Sequence, residues 1–361
     1  MDEGARTIVR RESLQFLKDL LSAPSPSGFE QPAQRVAKRY IGEHADEVRT
    51  DVHGNLIAAL NLGGSPRVML AGHCDQIGMM VRYINDQGYL YFSSIGGIDS
   101  AVLSGMRVLI HTEKGPIPGV IGRMAIHLLP PEDRGKLPET AKLWIDIGAK
   151  DKKHAEKLVS IADAVTFDVP VVELQQDLLT APGIDDKIGS FVVMEALRLL
   201  AGTPLKCALF AVSTVQEEVG LRGAVTSTYH VHPDVGIAVD VTHASDYPAA
   251  DKVKNGELAL GKGPVIDRGA NINPILAQML LSTAKKAKIP IQVAAAPGGT
   301  GTDANAMQLS RGGVATGLVA IPNRYMHTPS EIISLGDAEK AAKLIAETVK
   351  QITPQLSFIP E

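Results

Sequence analysis

Cysteine is scarce in this sequence: Cys74 and Cys207 are the only two among 361 residues. Two cysteines cannot build the disulfide framework that stabilises many secreted domains, so we expect a reducing compartment. Long apolar runs are absent as well, and no window approaches the length that spans a bilayer. The opening segment, MDEGARTIVRRESLQF, mixes acidic and basic side chains and lacks the apolar core of a signal peptide. Together these absences predict a cytoplasmic protein with no membrane partner.

Aromatic residues and an excess of one charge are also missing. Phe, Trp and Tyr make up 4% of the chain, which weakens the case for a carbohydrate cleft or a stacking surface for single strands. The formal net charge is −4 at pH 7 and the sequence pI is about 6.2, so we expect no nucleic-acid partner. Hydrophobic residues at 45% and charged residues at 21% are typical of a globular protein with one large domain or two unequal ones.

Apolar spacing predicts alternating helices and strands at both ends of the chain. Apolar residues three and four positions apart indicate helices at 13–21 and 30–41, and a turn at 53–55 separates two runs that predict a hairpin. The remaining predicted helices are 187–200, 274–286 and 337–352, and the predicted strands are 67–71, 208–212, 235–239, 291–295 and 315–321. Such alternation is typical of a mixed or mostly parallel sheet with helices on both faces.

The segment 77–175 has a different pattern. Turns at 86–88 and 114–116 separate alternating runs that predict hairpins, and helical periodicity returns only at 152–161. We therefore predict an α/β fold with a mixed central sheet flanked by helices, interrupted by a small β-barrel-like insertion domain. The predicted boundaries are 1–76 plus 176–361 for the α/β domain and 77–175 for the insertion.

Histidines and acidic residues recur shortly after the predicted strands. In chain order they are His73, Asp75, Glu217, Glu218, Asp240 and His327. Ligands of open α/β sheets bind at the carboxyl ends of the strands, so we expect these side chains to converge on one crevice. Asp185 and Asp186, at the start of the predicted helix in GIDDKIGS, are expected to join them.

Imidazole and carboxylate donors together suit zinc, cobalt or manganese. One cation uses about three protein ligands and leaves several acids without a counter-charge, which is costly in a crevice. Two cations roughly 3.5–4 Å apart, sharing a carboxylate and a water, use the whole set. Each candidate residue taken alone has an ordinary structural explanation. A single histidine can be structural, Glu217–Glu218 can be a solvated pair, and Asp185–Asp186 can be a helix cap. Their joint placement at strand ends favours a two-metal site.

Six motifs give a specific resemblance to a known family. They are AGHCDQIG, GIDDKIGS, QEEVGLRGA, VDVTHASDYP, GTGTDANA and YMHTPSE, in that order. The sequence resembles the tetrahedral aminopeptidases of metallopeptidase family forty-two, which also includes deblocking and glutamyl aminopeptidases. The resemblance covers nearly the whole chain, including the insertion, and implies a zinc-peptidase-like catalytic domain.

The resemblance also implies five metal ligands. His73 and Asp240 match the terminal ligands of one metal, and Glu218 and His327 match those of the other. Asp185 resembles the carboxylate that bridges the two metals, with the neighbouring aspartate as the open alternative. The implied cofactors are two divalent ions per subunit, zinc or cobalt with manganese also compatible, and no further cofactor-binding residue is expected.

Two further residues match catalytic positions of the family. Asp75 matches the acid that orients the first histidine and fixes its tautomer. Glu217 matches the general base that activates a metal-bridged water, the expected nucleophile. Two positions depart from the family pattern: Gln76 stands where Glu is common, and Lys187 stands where Arg is frequent.

The predicted function is hydrolysis of N-terminal residues from short peptides. A metal-dependent amidohydrolase, deacylase or carboxypeptidase of the same fold is the alternative, because the metal ligands do not distinguish them and only a free α-amine requirement does. A glycosidase is disfavoured, since glycoside hydrolysis needs two flanking carboxylic groups without metal. A binding protein without turnover is disfavoured by the intact Glu217. Assembly is implied by the resemblance alone: a homo-oligomer of dimers building a hollow tetrahedral dodecamer, with the insertion as the oligomerisation domain, although a dimer also fits.

Overall fold

The computed structural model of the chain describes residues 10–360. Residues 1–9 and 361 lie outside the described part. The expectation that the opening segment is not a signal peptide, and the start of the predicted domain 1–76, therefore fall partly on residues that the structure does not describe. The described residues form nine α-helices: α1 (Arg11–Ser22), α2 (Gln31–Ile41), α3 (Lys152–Ala155), α4 (Ile184–Leu200), α5 (Arg222–Val231), α6 (Lys252–Asn255), α7 (Pro274–Ala287), α8 (Asp303–Gln308) and α9 (Leu335–Val349).

Seventeen strands occur in the same part of the chain. They are β1 (Glu47–Thr50), β2 (Leu56–Leu60), β3 (Arg67–His73), β4 (Gly78–Ile84), β5 (Leu90–Ile95), β6 (Arg107–Thr112), β7 (Gly115–Gly122), β8 (Trp144–Asp146), β9 (Ala164–Phe167), β10 (Val172–Glu173), β11 (Leu178–Ala181), β12 (Ala208–Thr214), β13 (Val235–His243), β14 (Val265–Gly269), β15 (Gln292–Ala296), β16 (Ala315–Asn323) and β17 (Glu331–Ser334).

Eight strands form a mixed central sheet in the order β1-β2-β12-β3-β13-β16-β14-β15. The four central strands, β12, β3, β13 and β16, run parallel to one another. β2 and β14 join them antiparallel on either side. The central strands are almost wholly buried, because helices cover both faces of the sheet and leave no face for polar side chains.

Alternate strand residues supply two hydrophobic cores, one on each face. Leu70, Leu209 and Ile237 belong to the larger core, which includes residues of α1, α2, α4 and α9. Met69 and Phe210, one position away on the same strands, pack in the core that includes residues of α5 and α8. The alternation of β side chains therefore holds a layer of helices on each face.

A closed antiparallel barrel is built from chain segments between residues 78 and 167. Its strand order is β4-β5-β8-β7-β6-β9, and its interior is filled by a separate apolar cluster that includes Met79, Ile110 and Ile145. A three-stranded sheet, β10-β11-β17, connects the chain after the barrel with the segment before α9.

The predicted fold class is confirmed: a mixed sheet flanked by helices and interrupted by a small barrel. Several helix boundaries differ from the predictions; the last helix, for example, is Leu335–Val349 instead of 337–352. The helix predicted at 187–200 begins earlier, at Ile184, and the periodicity at 152–161 produces only the single turn Lys152–Ala155. Outside the insertion, helices α5, α6 and α8 and strands β11, β14 and β17 were not predicted.

None of the helices within residues 10–360 combines the length and apolar character needed to cross a membrane.

The backbones of β3 and α4 approach so closely that only glycine fits between them. A Cβ on Gly72 would lie 2.3 Å from the carbonyl carbon of Gly189 and 2.7 Å from the backbone nitrogen of Ser190. This contact sets the distance between His73, at the end of β3, and the start of α4.

We predict that Gly72→Ala lowers the free energy of unfolding by about 1–3 kcal/mol, since the added methyl forces two packed backbones apart. Urea denaturation of the purified variant measures the change. Gly63→Ala is the matched control, because no atom of the described residues lies within 4 Å of a Cβ there, and its effect should stay within about 0.5 kcal/mol. Equal stability of the two variants would contradict the close-packing argument.

Candidate active site

The register of the parallel strands brings the predicted residues to one edge of the central sheet. His73 pairs with Thr214 of β12, and Ala71 pairs with Ala238 of β13, so Asp240 is level with His73. Glu217 and Glu218 follow the end of β12, His327 follows the end of β16, and Asp185 lies in the first turn of α4. All of these carboxyl-terminal strand ends meet at the same edge, as expected for a ligand site of an α/β sheet.

Six of the seven predicted site residues fall into two groups of three. Within each group, every residue offers one potential metal-ligand atom, and these three atoms lie within 4.8 Å of one another. One group is His73, Glu217 and Asp240, and the other is Asp185, Glu218 and His327. Asp75 belongs to neither group. The structure thus brings together all the residues predicted to hold metal, and it adds Glu217 to the group that contains His73.

Asp185 belongs to the second group but also lies close to His73 of the first. Its Oδ1 is 3.3 Å from the Nε2 atom of His73, and its Oδ2 is 3.3 Å from the Nε2 atom of His327. Asp186 has a different environment: its carboxylate accepts hydrogen bonds from the backbone N–H groups of His73 (3.2 Å) and Gly189 (3.0 Å). Asp185 therefore faces both histidines, whereas Asp186 is occupied by backbone donors.

Asp75 is fully buried and holds two neighbouring segments in place. Its carboxylate accepts the backbone N–H groups of Glu217 (3.0 Å) and Glu218 (3.2 Å) and the hydroxyl of Ser27 (2.6 Å). The Nδ1 atom of His73 lies 3.1 Å from the backbone carbonyl oxygen of Asp75 and 3.4 Å from its Oδ1. Burial favours the protonated form, but the hydrogen bonds and the charge of His73 outweigh it and lower the pKa of Asp75.

The ring of His327 is held from the barrel side. Its Nδ1 is 2.8 Å from the carbonyl oxygen of Gly97, in the loop after β5. Because a carbonyl oxygen only accepts hydrogen bonds, Nδ1 donates in this contact and Nε2 is the ring nitrogen that faces the site. That Nε2 lies 3.5 Å from Oε1 of Glu218. A Cβ on Gly97 would lie 3.1 Å from Nδ1, so a larger residue would push the ring away.

Burial raises the pKa of most acids in the site. The pKa of Glu217 rises to about 8 and that of Glu218 to about 7, and the pKa of Asp240 rises well above its usual range. Asp185, like Asp75, is an exception: burial would raise its pKa, but the hydrogen bonds with His327 and His73 outweigh burial and lower it. The same hydrogen bond raises the pKa of His327 to about 9. The site therefore retains protons near neutral pH unless another positive charge replaces them.

Lys187 and Gln76 contact each other behind the site. The Nζ of Lys187 donates to Oε1 of Gln76 and, at 2.6 Å, to the carbonyl oxygen of Ala23. Lys187 is fully buried, and burial lowers its pKa to about 7. This pair links the segment that follows His73 to the helix that carries Asp185.

Sequence reasoning assigned no role to two groups that contact the predicted ligands. The Gly97 carbonyl comes from the barrel, and no feature of the sequence connects residue 97 with residue 327. Glu331 lies in the YMHTPSE motif, four residues after His327, and its carboxylate accepts two backbone N–H groups of the site. Its position beside a predicted ligand was the available signal.

Comparisons with known proteins agree with this geometry. Residues 54–344 match the family described as M42 glutamyl aminopeptidase. The lysyl aminopeptidase of Pyrococcus furiosus is 37% identical over 349 residues, which are 96% of this chain and 99% of that protein.

Two solved structures extend the comparison to the fold. A TET aminopeptidase from a marine-sediment Thaumarchaeota archaeon superposes with a TM-score of 0.91 and 35% identity, covering 95% of this chain and 97% of that one. A TET peptidase from Pyrococcus horikoshii that can assemble into a tetrahedron or a large octahedral shell gives a TM-score of 0.84 and 34% identity over 94% of this chain and 100% of that one. Because the family match and these relatives span most of its length, this chain belongs to the M42 glutamyl aminopeptidase family and is a peptide hydrolase.

Proposed function

We propose that this chain is a two-metal aminopeptidase that removes N-terminal residues from short peptides. The position of Asp185 is the observation that carries the proposal. Its two oxygens face the Nε2 atoms of His73 and His327, one from each ligand group, at 3.3 Å. A carboxylate placed in this way suits a shared ligand of two adjacent cations.

The residues present fit two divalent ions. His73 and Asp240 would hold one, Glu218 and His327 the other, with Asp185 between them. The Oε1 atom of Glu218 is buried and has no hydrogen-bond partner among residues 10–360, an arrangement that costs free energy unless a cation or proton occupies the position. The mixture of imidazole and carboxylate donors suits zinc or cobalt, and manganese is also compatible.

Glu217 is the proposed general base. When bound, the divalent ions lower the pKa of a water and polarise the scissile carbonyl. Glu217 takes the proton of that water during attack and returns it to the leaving amine. Its Oε2 atom lies 3.7 Å from the Nε2 atom of His73, beside the proposed ligands. The hydrogen bond from its backbone N–H to Asp75 keeps it facing the site.

We further propose a homo-oligomer of dimers that build a tetrahedral dodecamer, with the segment 77–175 as the oligomerisation domain and 1–76 plus 176–361 as the catalytic domain. The assembly of the Pyrococcus horikoshii relative supports this. The barrel also exposes large apolar side chains in one stretch, namely Met124, Ile126, Leu128 and Leu137, which is typical of a surface that a partner covers. Because both cysteines are free and buried, we propose a cytoplasmic location.

The first prediction concerns the free α-amine. After the metals are stripped, the protein should cleave no peptide, and added cobalt or zinc should restore release of the first residue from a short peptide with a free N-terminus. The N-acetylated form of the same peptide is the matched control and should stay intact. Amino-acid analysis of the products measures both. Cleavage of the acetylated peptide would instead indicate the deacylase or carboxypeptidase alternative.

The second prediction concerns the general base. Glu217→Gln should keep both metals, because the five proposed ligands are intact, and should lose at least about 100-fold in kcat because the proton acceptor is gone. Metal content by mass spectrometry and steady-state kinetics test the two halves separately. Full activity of the variant would overturn the assignment of Glu217.

The third prediction concerns assembly. Light scattering should give twelve times the chain mass of 38.3 kDa, and Leu128→Glu should reduce that mass because it places a charge in an apolar interface. Leu62→Glu, at a residue of the α/β domain that is also exposed, should leave the mass unchanged. A monomeric mass for the unmodified protein would defeat the proposal.

A further inference from the structure

Glu331 is a buried carboxylate that the chemistry above does not use. It is the first residue of β17, it pairs with Ala181 of β11, and its side chain is 1% exposed. Both of its oxygens are occupied by backbone donors. Oε2 accepts the N–H of Asp185 at 2.9 Å, and Oε1 accepts the N–H of His327 at 2.9 Å. A single carboxylate therefore joins two residues that are 142 positions apart in the chain.

Both donors lie where regular secondary structure does not fix the backbone. His327 has a φ of 62°, in the left-handed region that non-glycine residues rarely adopt. Asp185 has a ψ of 110° within the first turn of α4, which is not helical. Without an external acceptor, neither N–H would be satisfied by its own element. The Glu331 carboxylate supplies that acceptor for both.

The two residues that Glu331 joins belong to the same ligand group, Asp185, Glu218 and His327. The backbone N–H of the third member, Glu218, is accepted by the carboxylate of Asp75. Asp75 also accepts the N–H of Glu217, so the two buried acids act alike. Each one clamps two backbone N–H groups of segments that carry site residues.

We propose that Glu331 is a positioning residue for one of the two metals, the one held by Asp185, Glu218 and His327. It sets the distance between the Asp185 carboxylate and the His327 ring by holding both backbones on one rigid group. This inference rests on the proposed two-metal function. Loss of the clamp should weaken that metal site and leave the His73 and Asp240 site largely intact, apart from the shared Asp185.

The test is zinc titration of the metal-free protein by calorimetry. Glu331→Gln keeps the shape of the side chain, but its amide nitrogen cannot accept a hydrogen bond, so one of the two N–H groups loses its partner. The unmodified protein should bind two zinc ions. In the variant one of the two affinities should fall about 10- to 100-fold, the usual effect of losing a group that orients a ligand.

Two further backgrounds identify the affected site. In His327→Ala the site that Glu331 serves is already disrupted, so adding Glu331→Gln should change the remaining affinity by no more than about twofold. In His73→Ala the remaining site is the one that Glu331 serves, and the full weakening should persist. The reverse pattern, or equal weakening of both sites by Glu331→Gln, would overturn the proposal.

Asp337→Asn is the matched control for a purely structural effect. Asp337 is fully buried, and its carboxylate accepts the backbone N–H groups of Gly261 (2.7 Å) and Gly263 (2.8 Å). It makes the same kind of double contact, but to a loop with none of the proposed ligands. This variant should lose thermal stability as Glu331→Gln does and still bind both zinc ions as the unmodified protein does. Comparable loss of zinc affinity in both variants would show that Glu331 is only structural.

Hydrogen exchange of the unmodified, metal-free protein gives a test that needs no variant. The N–H groups of Asp185 and His327 should exchange slowly, because Glu331 accepts both. Rapid exchange at either position would overturn the clamp even if Glu331→Gln fails to fold. If the protein binds fewer than two zinc ions but both N–H groups exchange slowly, the two-metal function is rejected while the Glu331 contacts stand. The failure of the proposed function is therefore distinguishable from the failure of this inference.

Discussion

The burial of several carboxylates and two histidines at one edge of a sheet is the constraint on which the site depends. Burial raises the pKa of Glu217 and Glu218 to about 8 and 7, which shows how strongly this environment disfavours uncompensated negative charge. Protons relieve the charge in part, and divalent ions relieve it more completely. A site that must attract cations therefore has to keep its acids close together against their own repulsion, and the surrounding protein has to supply the restraint.

Backbone hydrogen bonds provide that restraint. Asp75 accepts the N–H groups of Glu217 and Glu218, and Glu331 accepts those of Asp185 and His327. Hydrogen bonds to an ionised acceptor are the stronger class, and the lowered pKa of Asp75 keeps that acceptor ionised. The barrel contributes through the Gly97 carbonyl, which fixes the tautomer of His327. The insertion is thus part of the site as well as a candidate surface for assembly.

The Lys187–Gln76 contact shows how a buried cation is accommodated behind such a site. The Nζ of Lys187 donates to the side-chain oxygen of Gln76 and to the backbone carbonyl of Ala23. Among the described residues, no carboxylate accepts a hydrogen bond from Lys187. Burial lowers the pKa of Lys187 to about 7. The neutral Gln76 adds no negative charge to a region that is already crowded with acids.

The sequence by itself determined the fold class and the residues that gather at the site. Apolar periodicity indicated the alternating helices and strands and the change to a barrel, and the histidines and acids stood directly after predicted strands, whose parallel ends share one edge. It did not decide between Asp185 and Asp186, and it assigned nothing to Gly97 or Glu331. Those roles depend on the direction of individual carboxylate oxygens and backbone N–H groups, and on the β11–β17 pairing that joins distant segments. Only the tertiary structure shows these contacts, because contacts between distant segments leave no periodic pattern in one sequence.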